Sequence, residues 1–99
     1  MLFRSRAREE DRDIQCRMFA PAMGILEDPA TGGANVVLGG LLAHFDARAD
    51  LTLNTTIGQG FDMGRPSILE AAAEKKAGRV VATYIGGKCV PMLTGELEV

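Results

Sequence analysis

The feature that most constrains this sequence is the segment at residues 34–45, which is apolar on every side when drawn as a helix. One face, at helical spacing, carries Ala34, Val37, Leu38, Leu41, Leu42 and Phe45. The opposite face carries Val36, Gly39, Gly40 and Ala43. Because a helix that is apolar all round must be covered by other elements, the segment predicts a central helix enclosed on all sides. Gly39 and Gly40 each weaken a helix by about 1 kcal/mol relative to alanine, which indicates strands packed close to them.

Two stretches on either side of this segment have the pattern of β-strands. At residues 14–19 the alternation places Ile14, Cys16 and Met18 on one face and polar side chains on the other. Residues 51–57 alternate in the same way and are rich in β-branched side chains. Both stretches therefore predict strands with one buried face.

The last quarter of the sequence predicts further strands. Residues 79–85 are rich in β-formers, and the Gly86-Gly87 pair indicates a hairpin turn that leads into a strand at residues 88–92. Residues 95–99 predict a short closing strand. About five or six strands around one buried helix make an α+β domain the expected fold class.

Size and charge exclude several classes of protein. The 99 residues suffice for a single domain over residues 1–99. A net charge of −2 lacks the basic surplus that a nucleic-acid binder needs. The apolar stretches are shorter than the ~20 residues of a membrane span.

Residues 1–13 are charged where a signal peptide is apolar, so we expect a cytoplasmic protein with no nucleic-acid or membrane partner. The mixed-charge run at residues 7–13 is interpreted as a solvated hairpin tip, with an interaction arm as the alternative.

The cysteines and the histidine do not indicate metal or disulfide chemistry. Cys16 and Cys89 are too few for a disulfide scaffold, and with the single histidine, His44, they form no motif with metal-ligand spacing. We expect both cysteines to lie on strands as small apolar core residues, and we expect no metal site.

The loop before the apolar helix carries the best candidates for ligand binding. The first N–H groups of a helix lack intrahelical partners and carry the positive end of its dipole. The amides of Thr31, Gly32 and Gly33 therefore suit a carboxylate or another oxyanion, which the glycines let approach closely. Asp28 is placed to exchange or orient a proton at the edge of that site. The alternative is that Asp28 only caps the helix, with Pro29 at its first position.

Four motifs follow one another along the chain. They are Arg17-Met18-Phe19-Ala20-Pro21, Glu27-Asp28-Pro29-Ala30-Thr31-Gly32, Gln59-Gly60 and Met63-Gly64-Arg65-Pro66-Ser67. In order and spacing, over about residues 13–97, the chain resembles the PhzF-like isomerases of phenazine biosynthesis, relatives of diaminopimelate epimerase. The resemblance implies a curved mixed sheet, a partial barrel, wrapped around one central helix, with a strand at residues 70–77.

The resemblance also implies an activity. Members of this family move a proton on a small carboxylated metabolite by acid/base chemistry without a cofactor. On this chain Asp28 would be the catalytic acid/base or orienting group. The amides of Thr31, Gly32 and Gly33 would hold the anionic substrate.

The chain departs from the family in two ways. It resembles only about the C-terminal third of a member, and the family's general-base glutamate has no counterpart in it. The family usually has serine at the position of Gly33, so a substrate-binding hydroxyl is missing here. Two hypotheses follow: an isomerase segment that another chain must complete, or a non-catalytic half-fold that binds a small anion or is only structural. Because the apolar helix needs covering, we expect a homodimer or a chain that supplies the missing half.

Overall fold

The computed structural model describes the backbone of residues 2–6 and the whole of residues 12–98. The elements in chain order are β1 (Leu2–Arg6), β2 (Ile14–Ala20), a 3-10 turn (Pro21–Met23), β3 (Ile25–Asp28), α1 (Gly32–Phe45), β4 (Leu51–Gln59), β5 (Ser67–Lys76) and β6 (Arg79–Gly87). One helix of 14 residues and a sheet in the described residues confirm the predicted α+β class.

The strands form one curled mixed sheet. Its order is β1-β2-β4-β5-β6, and β3 pairs with β2 beside this path. Only β2 and β4 run parallel in the described ladders, with Ile14 opposite Ile57 and Cys16 opposite Gln59. A parallel pair requires a crossover connection, and α1 lies in the connection between these two strands. The sheet curves around α1 as a half-barrel, which agrees with the fold that the resemblance implied.

The face of α1 that contacts the sheet is its small-residue face. A Cβ added at Gly39 would lie 3.2 Å from Ala71 Cβ, and one at Gly40 would lie 3.0 Å from Thr83 Cγ2. This confirms that strands pack close to the two glycines. Leu38 lies beside this contact and joins a core of Ile14, Cys16, Ile57, Leu69 and Ala71.

The prediction of a helix enclosed on all sides is wrong for the described chain. Val37, Leu41 and Phe45 are 67%, 49% and 77% exposed on the face that points away from the sheet. The sheet approaches α1 where the side chains are smallest, so the larger apolar side chains lie on the opposite face. A half-barrel covers only one side of a helix.

The C-terminus of α1 is held by a buried lysine. Lys75, which is 5% exposed, donates from Nζ to the carbonyl oxygens of Asp46 at 2.6 Å and His44 at 3.3 Å. The last carbonyls of a helix lack intrahelical partners and lie at the negative end of its dipole. The Lys75 ammonium donates hydrogen bonds to these carbonyls and its positive charge is stabilised by the dipole.

Residues 70–77 are confirmed as largely strand. They lie mostly within β5, whose alternating side chains Ala71, Ala73 and Lys75 are buried under α1. Three consecutive alanines favour a helix locally, but contact with the helix face at Gly39 selects the pleated arrangement.

The predicted hairpin at Gly86-Gly87 is wrong. These glycines continue β6, where Gly86 pairs with Glu70 and Gly87 with Leu69 of the ten-residue strand β5. The tight turn lies instead at Ala77-Gly78, where both residues have positive φ.

The chain beyond β6 does not form the predicted strands. Residues 88–98 contain no regular element, so the strand at 88–92 and the described part of the strand at 95–99 are both absent. Cys89 lies in this segment and is exposed, so its assignment to the core is wrong, whereas Cys16 is 1% exposed as predicted.

The mixed-charge run at residues 7–13 lies mostly outside the described residues, since residues 7–11 are not described. Of its two described residues, Asp13 is exposed, whereas Arg12 is 8% exposed and its guanidinium lies 3.6 Å from the ring centroid of Phe61. None of the helices in the described part of the chain has the length and apolar character needed to cross a membrane.

Candidate functional site

The candidate site lies where β3 ends and α1 begins. β3 ends at Asp28, and α1 begins at Gly32 with Thr31 as its N-cap residue. The alternative in which Asp28 caps the helix with Pro29 at its first position is therefore wrong. Asp28 lies one short loop before the helix, and its carboxylate is engaged differently.

Asp28 and Thr31 are brought into direct contact. The Thr31 hydroxyl donates to Oδ2 of Asp28 at 2.5 Å. Thr31 makes no side-chain cap to its own helix, so its hydroxyl is committed to the carboxylate. The sequence predicted both residues as site residues, and the structure places them together.

A buried glutamine ties this loop to the sheet. Gln59, at the end of β4, is completely buried. Its Nε2 donates to the Asp28 carbonyl oxygen at 2.8 Å and to Thr31 Oγ1 at 2.9 Å. Its Oε1 accepts from the Thr31 backbone N–H at 3.3 Å and from Asn35 Nδ2 at 2.7 Å. All four hydrogen-bonding positions of this amide are therefore used within the site.

Asn35 and Ser67 complete the support of the loop. Asn35 is completely buried in the first turn of α1, and its Nδ2 also donates to the Thr31 carbonyl oxygen at 2.8 Å. Its Oδ1 has no hydrogen-bond partner among the described residues. Ser67 Oγ lies 2.6 Å from the Pro29 carbonyl oxygen and 3.1 Å from that of Gln59.

The helix amides beyond Thr31 are open. Within residues 12–98, no carbonyl or side chain accepts a hydrogen bond from the N–H of Gly32 or Gly33. A Cβ added at either glycine would have no heavy atom within 4 Å. The predicted anion site is thus partly filled: the Thr31 amide is taken by Gln59, and the Gly32 and Gly33 amides remain available.

A charged pair lies on the other side of the β3 end. Arg17 donates to Glu27 Oε1 from Nη2 at 2.6 Å and from Nε at 3.1 Å, and its Nε lies 3.5 Å from Asp62 Oδ2. The hydrogen bond with Glu27 raises the pKa of Arg17 above its ordinary value. The Glu27 side chain is 10% exposed, and its Oε2 has no hydrogen-bond partner in the described chain. Arg65, which lies in the Met63-Gly64-Arg65-Pro66-Ser67 motif, is exposed.

Sequence reasoning missed Gln59, Asn35 and Ser67 as site residues. The signal in the sequence was the Gln59-Gly60 pair at the end of a predicted strand. In the structure Gly60 has φ of 81°, and a Cβ there would lie 2.9 Å from the Pro29 carbonyl oxygen. Such close approach places the preceding side chain against the loop. Asn35 gave a weaker signal: with His44, it is one of two polar side chains in the helix at residues 32–45.

The open amides of Gly32 and Gly33 suit an anion, and the Asp28 carboxylate beside them is of a type that can accept or donate a proton. Free N–H groups at a helix start favour a negative ligand, and a fixed carboxylate nearby is an acid/base group. Among the described residues, no three side chains of His, Cys, Asp or Glu are grouped as metal ligands.

Comparisons with known proteins agree with the resemblance. Residues 1–95 match the family model described as phenazine biosynthesis-like protein. The chain is 38% identical over 81 residues to an uncharacterized isomerase of Mesorhizobium japonicum, covering 82% of this chain and 27% of that protein. It is 38% identical over 87 residues to the trans-2,3-dihydro-3-hydroxyanthranilate isomerase of Pseudomonas aeruginosa, covering 86% of this chain and 30% of the enzyme.

A third relative, an uncharacterized isomerase of Deinococcus radiodurans, is 42% identical over 74 residues, which are 72% of this chain and 24% of that protein. The chain therefore spans less than a third of the length of these curated relatives. The family match, the isomerase relatives and the half-barrel around a helix together show that this chain belongs to the phenazine biosynthesis-like (PhzF-like) protein family.

Proposed function

We propose that this chain forms one side of a cofactor-independent isomerase site that acts on a small carboxylated metabolite. In this proposal the Gly32 and Gly33 amides bind the substrate carboxylate, beside the Thr31 amide that Gln59 already holds. Asp28 is the catalytic acid/base or orienting group.

The observation that carries the proposal is the contact between Asp28 and the residue that begins the helix. Thr31 is the N-cap of α1, and its hydroxyl fixes the Asp28 carboxylate at 2.5 Å. The carboxylate is therefore held in place beside the open amides of Gly32 and Gly33. A site for acid/base work on an anion needs these two parts at hydrogen-bonding reach of one molecule.

The relatives suggest the class of substrate. The Pseudomonas relatives are named for trans-2,3-dihydro-3-hydroxyanthranilate, a cyclic acid with an amino and a hydroxyl group. We propose a cyclic or unsaturated hydroxy acid of this size. Isomerisation would remove a proton from one carbon and return a proton to another as the double bond moves, so that no atom is gained or lost.

Proton transfer at two carbons calls for a second acid/base group or for one group that serves both positions. The resemblance implied a general-base glutamate that this chain does not contain. We therefore propose that another part of the active enzyme supplies this base, opposite Asp28. The alternative, a half-fold that binds an anion without catalysis, lacks a supporting observation.

A graft into a relative tests the catalytic proposal. Residues of this chain would replace the 87 matched residues of the Pseudomonas aeruginosa isomerase, whose remaining part supplies the other side of the site. We expect the folded graft to isomerise the relative's substrate and, in D2O, to incorporate solvent deuterium. Asp28→Asn should abolish both, whereas Asp46→Asn, a substitution at the far end of α1, should not. A folded graft without turnover, or full activity in Asp28→Asn, would contradict the proposal.

The exposed face of α1 supports a proposal about partners. A groove of about 380 Å³ lies between Leu38, Leu41, Leu42, Phe45 and Asp46. Exposed apolar patches of this kind mark interaction sites, and we propose that a second copy covers the groove. Sedimentation should show a dimer at micromolar concentration that Leu41→Lys weakens. A stable, well-folded wild-type monomer would contradict this proposal.

A further inference from the structure

We propose that Gln59 is a positioning residue that fixes the direction of the Thr31 hydroxyl, so that Asp28 accepts a hydrogen bond at Oδ2 and exchanges protons only through Oδ1. The part of this inference that concerns catalysis, proton exchange through Oδ1, rests on the proposed function. The comparisons assign no role to Gln59, whose side chain carries no charge.

The orientation of the Gln59 amide is dictated by backbone groups. The Thr31 N–H can only donate, and it lies 3.3 Å from Oε1. The Asp28 carbonyl can only accept, and it lies 2.8 Å from Nε2. Exchanging the oxygen and nitrogen of the amide would place donor against donor and acceptor against acceptor. Asn35 Nδ2, at 2.7 Å from Oε1, reinforces the same orientation.

This orientation determines where the Thr31 proton points. Gln59 Nε2 donates to Thr31 Oγ1 at 2.9 Å and occupies a lone pair of the hydroxyl. The hydroxyl must then donate elsewhere, and Asp28 Oδ2 lies 2.5 Å away. Donors therefore run in one direction from Asn35 through Gln59 and Thr31 to the carboxylate. Hydrogen bonds aligned in this way polarise one another and strengthen the last bond.

The chemical consequence concerns the two oxygens of Asp28. Oδ2 is held as an acceptor by a donor that cannot reverse without breaking the bond from Gln59. A proton taken from the substrate therefore binds at Oδ1. Gln59 directs the proton to Oδ1 without contacting the substrate, because its side chain is completely buried beneath the loop.

The test uses NMR on the isotopically labelled chain without ligand. Its readouts are the 13C chemical shift of Asp28 Cγ at neutral pH and the three-bond couplings that report the Thr31 χ1 rotamer. Gln59→Met removes the donor at similar side-chain length. Thr31→Val removes the hydroxyl, and Thr31→Ser keeps it.

Ser67→Ala is the matched control. Ser67 ties the same loop to the sheet through the Pro29 carbonyl at 2.6 Å, but it is not part of the directed chain. A purely structural role for Gln59 predicts that Gln59→Met and Ser67→Ala have the same effect.

We expect Gln59→Met to move Asp28 Cγ in the same direction as Thr31→Val and to average the Thr31 couplings, while Ser67→Ala and Thr31→Ser leave wild-type values. Adding Gln59→Met to Thr31→Val should change Cγ no further, because Gln59 acts through Thr31. The proposal is overturned if Gln59→Met leaves both readouts unchanged or if Ser67→Ala moves them equally. It is also overturned if the wild-type couplings already show several Thr31 rotamers, a result that requires no variant to fold.

The catalytic meaning has its own readout. In the active graft, Gln59→Met should lower kcat with little change in KM, whereas loss of carboxylate binding would raise KM. An unchanged kcat would overturn the positioning role. Failure of the proposed function is distinguishable, since a chain that binds no carboxylate at Gly32 could still show the directed hydrogen bonds in the ligand-free spectra.

Discussion

The hydroxyl of Thr31 donates to Oδ2 of Asp28 across 2.5 Å, from the residue that immediately precedes α1. A side chain at the helix start thus binds the carboxylate at the end of the neighbouring strand β3. One short contact joins the strand, the loop and the helix, and it places the Asp28 carboxylate beside free helix amides.

This contact predicts a stability difference between two substitutions of Thr31. Thr31→Val removes the donor to Asp28 and one acceptor of the buried Gln59, and a lost hydrogen bond to a charged group destabilises by about 1.5–3 kcal/mol. Thr31→Ser retains the hydroxyl and should stay within about 1 kcal/mol of wild type. Urea denaturation measures both. Equal stabilities of the two variants would show that the hydroxyl bond contributes nothing.

The close contact between α1 and the sheet predicts opposite outcomes for two adjacent glycines. Gly→Ala improves helix propensity by about 1 kcal/mol at either position. At Gly40 the new Cβ meets the tip of the exposed Thr83 side chain, which can rotate away. At Gly39 it meets Ala71 Cβ, which moves only with the backbone of β5.

We therefore expect Gly39→Ala to be less stable than Gly40→Ala by about 1–3 kcal/mol, the usual range for overpacking. Thermal unfolding of the two single variants provides the comparison, because the propensity gain cancels between them. A Gly39→Ala variant as stable as Gly40→Ala would mean that β5 yields to the helix.

The hydrogen bonds of Lys75 predict that Lys75→Met lowers the stability of the fold. Lys75→Met keeps the length of the side chain but leaves the carbonyls of Asp46 and His44 without their donor, at a cost of about 1–3 kcal/mol. Lys76→Met, at the exposed neighbouring position, is the control and should change stability by less than about 0.5 kcal/mol. Denaturant midpoints that match for the two variants would contradict the capping role.

The lowered pKa of Asp46 predicts that this residue contributes stability that is lost in acid. Hydrogen bonds from the Arg48 side chain and backbone hold the pKa of Asp46 well below its ordinary value. The Asp46 carboxylate binds a proton more readily in the unfolded chain than in the folded one. Its contribution to stability is therefore full above the unfolded pKa of about 4 and is lost as the pH falls through the lower folded pKa. The stability gap between wild type and Asp46→Asn should therefore be widest at neutral pH and shrink below about pH 4. Urea unfolding across this range measures the gap, and a gap that widened in acid would refute the assignment.

Local pattern was enough to predict much of the fold. Helical spacing predicted α1, and Gly39 and Gly40 correctly indicated close strands. The strand at residues 70–77 required the resemblance, because three alanines favour a helix until packing against Gly39 is considered. Propensity is a local property, whereas this choice depends on a contact with a distant segment.

Two errors concern the sheet, because sequence pattern reveals neither how much of a barrel the strands close nor how far each strand pairs. Val37 and Phe45 were expected to be buried because they are apolar, but the half-barrel reaches only the small-residue face of α1. A Gly-Gly pair is typical of a turn, but here strand pairing decides: β5 extends far enough to pair with both Gly86 and Gly87.

The candidate site was half visible in the sequence. Asp28, Thr31, Gly32 and Gly33 stand in one motif, so chain proximity alone groups them. Gln59 was missed because it comes from β4, and nothing local shows that its amide reaches back to this loop.

The most direct measurement is an NMR titration of the 15N-labelled chain with anthranilate, using the uncharged 2-aminobenzamide as control. Gly32→Ala keeps the amide N–H, whereas Gly32→Pro removes it at a helix position that proline favours and after an extended Thr31 with ψ of 95°. We expect anthranilate, but not the amide, to shift the Gly32 and Gly33 resonances at millimolar concentrations.

The alanine variant should bind as wild type does, and the proline variant should bind about tenfold more weakly or worse, the equivalent of one lost bond to a charged group. Undisturbed glycine resonances in wild type, or equal binding by the proline and alanine variants, would contradict an anion site at the start of α1.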